Sequence, residues 1–359
     1  MIVKQLELKN FRNYEKLSLS FDEAINILYG DNAQGKTNIL ESIFMCATTK
    51  SHKSSKDRDI IRLGYDEAHI QMYIEKMGVP HKLDMHLRNG KAKTVAVDGI
   101  SIRKSSDFFG MMNVVFFSPE DLNIIKNGPA ERRKFMDMDL CQLDRLYMHQ
   151  LSSYNKILLQ RNNLLKQSDF AGDIVETIDV WDSQLIACGN EIINSRNQFI
   201  NDLNSIVGDM HEMISGGKER LMVNYVPNIS AQEFERKLKN SFERDFYLKT
   251  TTVGPHRDEL EFYVGDKDLK TFGSQGQQRT AALALKLAEI ELVRETIGED
   301  PILLLDDVLS ELDRKRQHFL LDSIEGIQTI ITCTGLEEFV GDRKKYNHIY
   351  RVENGTVKQ

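Results

Sequence analysis

Gly30-Asp31-Asn32-Ala33-Gln34-Gly35-Lys36-Thr37 is the stretch whose reading decides the fold. It fits G-x-x-x-x-G-K-[ST], and its flanks agree with it. Ile25-Asn26-Ile27-Leu28-Tyr29 is a short apolar run of strand type, and Asn38 to Met45 carries apolar residues at helical spacing. Strand, glycine loop and helix in that order is the setting in which this pattern cradles phosphate. The glycines let the backbone curl so that successive N–H groups face the phosphate oxygens. The helix starting near Gly35 adds unpaired N–H groups and the positive end of its dipole. Lys36 is expected to reach the β- and γ-phosphates of ATP, and the Thr37 hydroxyl to ligate Mg²⁺. A chance match arises in roughly one chain in a hundred of this size at ordinary glycine content.

Working outward, residues 2–11 and 16–21 read as strands, with Leu17, Leu19 and Phe21 alternating against Lys16, Ser18 and Ser20. Phe11-Arg12-Asn13-Tyr14 lies between them. Beyond the first helix, the polar stretch from Lys50 to Arg58 holds Lys50, Lys53, Lys56 and Arg58. It reads either as a solvated surface loop or as a contact to nucleic-acid phosphates. From 69 to 102 the pattern is antiparallel β, with turns at Asn89-Gly90 and Asp98-Gly99. Val114-Val115-Phe116-Phe117, stopped by Ser118-Pro119, reads as a buried strand.

The character then changes. No proline occurs between Pro129 and Pro227. Leu140, Leu143, Tyr147, Leu151, Tyr154 and Leu158 follow steps of three and four, as do Trp181, Leu185, Cys188, Ile192, Ser195 and Phe199. Two amphipathic helices joined near 167–179 point to an antiparallel helical arm too short for a long coiled coil. From about 251 the α/β pattern resumes, with a hairpin around Gly265-Asp266 and a strong helix from Gln275 to Glu295. Pro301-Ile302-Leu303-Leu304-Leu305-Asp306-Asp307 is an apolar strand ending in two acids, and 327–333 is another buried strand. The expected organisation is a discontinuous α/β head (1–118 and 251–359) with an inserted helical domain (119–250).

The strand that closes on Asp306-Asp307 has the form of a Walker B strand. Asp306 is then a metal-holding carboxylate, and Asp307 orients the attacking water. Upstream, Ser274-Gln275-Gly276-Gln277-Gln278 opens the long helix. Ser274 reads by itself as an N-cap, and also as the start of a second anion site. One nucleotide needs only one P-loop, so a spare γ-phosphate site points to two chains sandwiching two nucleotides.

Taken together, the P-loop, this signature, the Walker B strand and Ser310-Glu311-Leu312-Asp313 resemble the ABC-type ATPase heads of SMC proteins. Leu8 to Tyr14, Ser118-Pro119-Glu120-Asp121-Leu122, Gly128 to Arg133, Gly254-Pro255-His256-Arg257-Asp258 and Gly273 to Arg279 extend the resemblance to the RecF family of bacterial recombination mediators, over essentially the whole chain. The resemblance implies a mixed sheet with an antiparallel β lobe and an inserted arm. It implies a weak DNA-dependent ATPase that dimerises with ATP at single-strand gaps and single/double-strand junctions. RecR and RecO are the implied partners, in loading RecA during repair, replication restart and the SOS response. The implied nucleotide contacts are Gly30, Asp31, Asn32, Ala33, Gln34, Gly35, Lys36, Thr37, Ser274, Gly276, Gln277 and Arg12. The chain departs from the wider ABC pattern at Asp307, where a glutamate is usual. It departs again at Thr332-Cys333-Thr334, which lacks the histidine of transporter ATPases, and no glutamine follows the 114–117 strand.

Bulk properties narrow the alternatives. With 359 residues, the chain has room for two domains. A net charge of −7 argues against broad charge-driven coating of DNA and leaves room for a local basic patch. Cys46, Cys141, Cys188 and Cys333 form no CxxC pair, which favours reduced thiols in a cytoplasmic protein. Met1 runs almost directly into a strand, so no signal peptide is expected. A transporter ATPase subunit would need Leu-Ser-Gly-Gly-Gln and the histidine switch, and a P-loop kinase would have no use for Ser274.

Overall fold

Alternation sets the first sheet. In β1 (Ile2–Phe11), Leu6 and Leu8 are buried while Lys9 is exposed, and β2 (Tyr14–Ser20) repeats the rhythm with Leu17 and Leu19 inward. The computed structural model describes residues 1–53, 56–103, 105–335 and 348–358. Two compact units emerge, one of residues 1–121 with 289–359 and one of residues 122–288.

The first unit holds two six-stranded sheets. One is antiparallel, in the order β2-β1-β4-β5-β6-β7, where β4 is Glu67–Lys76, β5 Val79–Arg88, β6 Thr94–Val97 and β7 Ile100–Ile102. Asp98 (φ 51°) and Gly99 (φ 80°) make the left-handed two-residue turn expected between β6 and β7. Met77 (φ 49°) and Gly78 (φ 74°) make a second such turn, which no Asn-Gly or Asp-Gly pair announces.

The other sheet gathers β3 (Ile25–Tyr29), β8 (Val114–Phe117), β12 (Ile302–Asp306), β13 (Thr329–Cys333), β14 (His348–Glu353) and β15 (Thr356–Lys358). Its order is β15-β14-β3-β13-β12-β8, parallel except at the β15 edge. Strands buried on both faces read as continuous apolar runs, which is why Ile302-Leu303-Leu304-Leu305 does not alternate. Gln328 ties the two sheets together. Its side chain accepts from the Val3 N–H at 2.7 Å and donates to the Val3 carbonyl at 2.8 Å and the Asp22 carbonyl at 2.7 Å.

The second unit is mostly helical. Its principal helices are Pro129–Leu143, Arg145–Gln167 and Val175–Ser215, and the last two pack against each other as the arm. The seam expected from Leu140 to Leu158 is not one helix. Asp144 interrupts it in an extended conformation (φ −132°) and caps the next helix by accepting from the Leu146 N–H at 2.7 Å. A three-stranded antiparallel sheet, β11-β10-β9, completes the unit, with β9 at Leu221–Val226, β10 at Glu259–Val264 and β11 at Lys267–Asp268. β9 is an addition to what the sequence patterns led us to expect.

Charges, not only apolar groups, fasten this unit. Arg161, fully buried, donates to Asp182 at 2.6 Å, Asp245 at 2.7 Å and Thr251 at 3.0 Å. Arg196 donates to Asp258 at 2.7 Å, Asp137 at 2.8 Å and the Pro255 carbonyl at 2.7 Å. Removing one partner of such a cluster strands a buried charge and costs about 3–5 kcal/mol.

Candidate functional site

The glycine loop emerges from the carboxyl end of β3 and runs into the helix Lys36–Thr48. Gly30 adopts φ 151°, and a Cβ there would stand 2.3 Å from the Val352 carbonyl oxygen. Gly35 adopts φ 113° beside the Asn13 side chain and the Tyr14 hydroxyl, which leave no room for a Cβ. Both positions therefore demand glycine. The loop is fastened from both sides. Asn13 Nδ2 donates to the Gln34 carbonyl at 2.9 Å and the Tyr14 hydroxyl to the Gly35 carbonyl at 3.1 Å. From the β14–β15 turn, the Asn354 N–H donates to Gln34 Oε1 at 2.7 Å, and the Gly355 N–H to the Gln34 carbonyl at 3.3 Å. Gly35 caps the helix without any side-chain acceptor, and the first turn carries no acid. That is the electrostatic setting an anion prefers.

Lys36 is buried at the loop's centre. Its ammonium donates to the Gly30 carbonyl and, at 2.8 Å, to the Asp31 carbonyl. Burial pulls its pKa below the ordinary lysine value, against the nearby carboxylates of Asp307, Asp306 and Asp31. Phosphate oxygens arriving beside it would relieve that desolvation.

β12 delivers two adjacent acids to the same wall. Asp306 Oδ1 accepts from the Thr37 hydroxyl at 2.7 Å and from the Thr332 hydroxyl at 2.8 Å. A hydroxyl and a carboxylate this close form a hard oxygen pair of the kind Mg²⁺ takes. Asp307 then leaves the strand in a left-handed conformation, φ 55°. Its N–H donates to the Thr332 hydroxyl at 3.0 Å and the Thr332 carbonyl at 3.2 Å, and its own carbonyl accepts from Ser310 at 2.8 Å. A non-glycine residue pinned there stores of order 1–3 kcal/mol, of the sort found at active sites.

These groups line an open cavity of about 350 Å³. Residues 32–38 form one wall, with Asp306, Asp307 and Thr332 beside them, and His52, Lys53 and Ser118–Glu120 complete the lining. Lys53, which the sequence grouped with the basic loop, thus lines the cavity. Lys50, Lys56 and Arg58 are exposed and do not line it, and Ser54 and Ser55 lie outside the described residues. His52 has no sequence signal tying it to the glycine loop, and Ser118-Pro119-Glu120 enter only through the family resemblance. The His52 ring is placed by packing, its centroid 4.4 Å from that of the Phe116 ring at a tilt of 37°.

Arg12, expected as a nucleotide contact, is not among the residues lining the cavity and packs against the helix Lys36–Thr48. It donates to both carboxylate oxygens of buried Glu41, at 2.9 and 2.6 Å, and to the Asp59 carbonyl at 2.7 Å. Burial alone would raise the Glu41 carboxyl. The Arg12 guanidinium and the Ser51 hydroxyl outweigh it and hold the carboxyl below the ordinary range.

In the second unit, Ser274 and Gln277 form a capping box at the start of the helix Gln275–Ile297. The Ser274 Oγ accepts from the Gln277 N–H at 3.2 Å, and Gln277 Oε1 accepts from the Ser274 N–H at 2.9 Å. Ser274 is exposed and Gly276 is partly exposed. The N-cap role is real, and the hydroxyl keeps its own hydrogen to donate outward.

Comparison with known proteins agrees with this geometry. The RecF/RecN/SMC N terminal domain family matches residues 2–358. The chain is similar to the DNA replication and repair protein RecF of Lachnoclostridium phytofermentans, at 62% identity over 359 residues and the full length of both chains. It is similar to a solved structure of the recombination mediator protein RecF with ATP, from the RecFOR pathway. The TM-score there is 0.91 at 32% identity, over 99% of this chain and 96% of that one. An Smc head domain from Pyrococcus furiosus shares the fold, with a TM-score of 0.57 at 16% identity, over 99% of this chain and 95% of that one.

Proposed function

This chain belongs to the RecF family, within the RecF/RecN/SMC N terminal domain family, and we propose that it is an ATP-gated DNA-binding protein of recombinational repair. ATP binding and a role in DNA replication and repair come with the family, and the transporter reading is not favoured. The observation that carries the finer reading is the 2.7 Å contact between Thr37 and Asp306, which joins the glycine loop's helix to the acid-tipped strand across one cavity.

In this reading the loop from Gly30 to Thr37 holds the triphosphate, with Lys36 turning from the loop carbonyls to the β- and γ-phosphates. Thr37 and Asp306 are the residues that would hold Mg²⁺, which neutralises phosphate charge when bound. Asp307 accepts from the attacking water and aligns it. Its side chain is one methylene shorter than the glutamate usual in ABC heads, in keeping with slow, weak turnover. Lys53 adds a cation to the same cavity.

Ser274, Gly276 and Gln277 offer a hydroxyl and a helix start to the γ-phosphate of a partner copy, so ATP closes a dimer and ADP releases it. DNA contact stimulates hydrolysis and falls on a local basic surface that includes Lys50, Lys56 and Arg58. Gaps and single/double-strand junctions are the proposed DNA targets, RecR the direct partner and RecO an indirect one, in service of RecA loading.

Sedimentation velocity with and without ATP, repeated with gapped DNA, tests this reading. ATP should convert monomer to dimer, and DNA should raise the hydrolysis rate. An ATP-saturated protein that stays monomeric on and off DNA would overturn the gating mechanism.

A further inference from the structure

Gln277 does more than close the capping box. While its Oε1 accepts from the Ser274 N–H, its Nε2 donates to Glu219 Oε1 at 2.8 Å. An amide has one acceptor end and one donor end. The Glu219 carboxylate accepts only, so it fixes which end of Gln277 faces Ser274.

Glu219 is itself anchored to the end of the long arm helix Val175–Ser215. Its N–H donates to Ser215 Oγ at 3.2 Å, its carbonyl shares the Ser215 hydroxyl (3.2 Å) with the Glu212 carbonyl (3.0 Å), and His211 Nδ1 lies 3.0 Å from the Glu219 carbonyl. Between helix and anchor stand Gly216 (φ 77°) and Gly217 (φ 76°), a left-handed pair that ends the helix and turns the chain back. One chain of bonds therefore runs from the arm's last turn, through Glu219 and Gln277, to Ser274.

We propose that Glu219 is a positioning residue that locks the Ser274 turn and sets it by the state of the arm's last helical turn. The proposal rests on Ser274 acting at a partner's γ-phosphate. Without Glu219, the Gln277 amide is free to rotate. The Ser274 N–H then loses its fixed acceptor, and the hydroxyl aimed at phosphate loses its register. Any ligand that shifts the 211–215 turn reaches the signature by the same route, so the arm becomes a control point for hydrolysis.

Three substitutions at position 219, in the full chain, test this. Glu219→Ala should lower kcat for ATP hydrolysis about five- to tenfold, in the range of ordinary intersite coupling. The KM for ATP and the melting temperature should stay at wild-type values. Glu219→Gln should restore kcat, because its carbonyl oxygen can accept from Gln277 Nε2. Glu219→Lys should be at least as impaired as the alanine variant, since a donor at 219 turns the amide round and sets its NH₂ against the Ser274 N–H. Wild-type kcat in the alanine variant, or failure of glutamine to rescue, overturns the proposal. Hydrogen exchange at the Ser274 amide separates this from the dimer reading. Exchange should speed up in Glu219→Ala without nucleotide, and unchanged protection overturns the proposal. A wild-type protein that never dimerises with ATP refutes the dimer reading, while the exchange result still decides the role of Glu219.

Discussion

The Asp307 N–H donates to the Thr332 hydroxyl at 3.0 Å, and that one bond fixes how β12 ends. The same hydroxyl donates to Asp306 at 2.8 Å, so a single threonine on β13 sets two neighbouring acids at once. One acid is turned toward Thr37. The other is held at φ 55° with its side chain at the cavity.

Asp307→Asn should therefore keep ATP affinity and lose hydrolysis by about a hundredfold or more, the range of a lost general base. The fold is expected to persist because the backbone N–H that meets Thr332 is unchanged. Single-turnover hydrolysis and sedimentation check it, with the ATP-held dimer expected to live longer. Undiminished turnover assigns the water to another group.

Lys36→Met removes a buried cation whose hydrogen bonds to phosphate are each worth about 1.5–3 kcal/mol. ATP affinity should fall about ten- to hundredfold in equilibrium titration. Because burial already depresses the Lys36 ammonium, the variant should fold at least as well as the parent without nucleotide. Unchanged affinity would remove the glycine loop from the binding site.

The basic loop divides into two roles. Lys50→Glu with Lys56→Glu should weaken DNA binding and reduce the slope of log K against log salt by about two, with ATP binding intact. Lys53→Glu should weaken ATP binding as well, since Lys53 lines the cavity. Equal DNA affinity in the double variant would move the DNA contact off this loop.

Ser274→Arg should leave monomer ATP affinity near normal and abolish ATP-dependent dimerisation and most hydrolysis. Mixing it with Lys36→Met chains builds dimers with one intact composite site, so part of the activity should return. A Ser274→Arg protein that still dimerises with ATP would show that Ser274 is an N-cap and nothing more.

Acid should loosen the second unit through His256. Burial, aided by the Arg257 and Arg133 charges, lowers its pKa from 6.5 to about 4 despite the Thr251 carbonyl. Its Nε2 lies 3.0 Å from that carbonyl and its Nδ1 2.7 Å from the Tyr154 hydroxyl. The folded pKa lies below the unfolded one, so this stability is complete above pH 6.5 and is lost as pH falls toward 4. The full loss is about 3 kcal/mol. Urea midpoints at pH 7.5 and 5 should drop less in His256→Gln than in the parent. Equal drops would assign the acid sensitivity elsewhere.

Much of the head was legible in the chain because its signals are local. Gly30 to Thr37 carries its own geometry, and the four apolar residues before Asp306 read as a buried strand once paired with that loop. Contacts made by distant single residues were not legible. Gln328 falls inside the run 327–333 that reads as one buried strand, yet the strand starts at Thr329 and Gln328 bridges two sheets. Nothing in the sequence marks Arg161 and Arg196 as buried, because their partners at Asp245 and Asp258 lie far along the chain. Asp144 interrupts a hydrophobic rhythm that continues undisturbed through it, and only its capping bond reveals the break. Lys53 was assigned by charge alone, whereas its place in the cavity follows from how the loop packs against Phe44 and Phe116 through His52.

The β14–β15 turn has a consequence for how the protein is made. The Val352 carbonyl stands where a Cβ on Gly30 would be, and Gln34 is held by Asn354 and Gly355. The glycine loop is synthesised more than three hundred codons before those residues. The growing chain thus carries the whole phosphate-binding sequence without its closing clamp. A chain terminated before residue 352 would present the whole phosphate-binding sequence without the two bonds that hold Gln34.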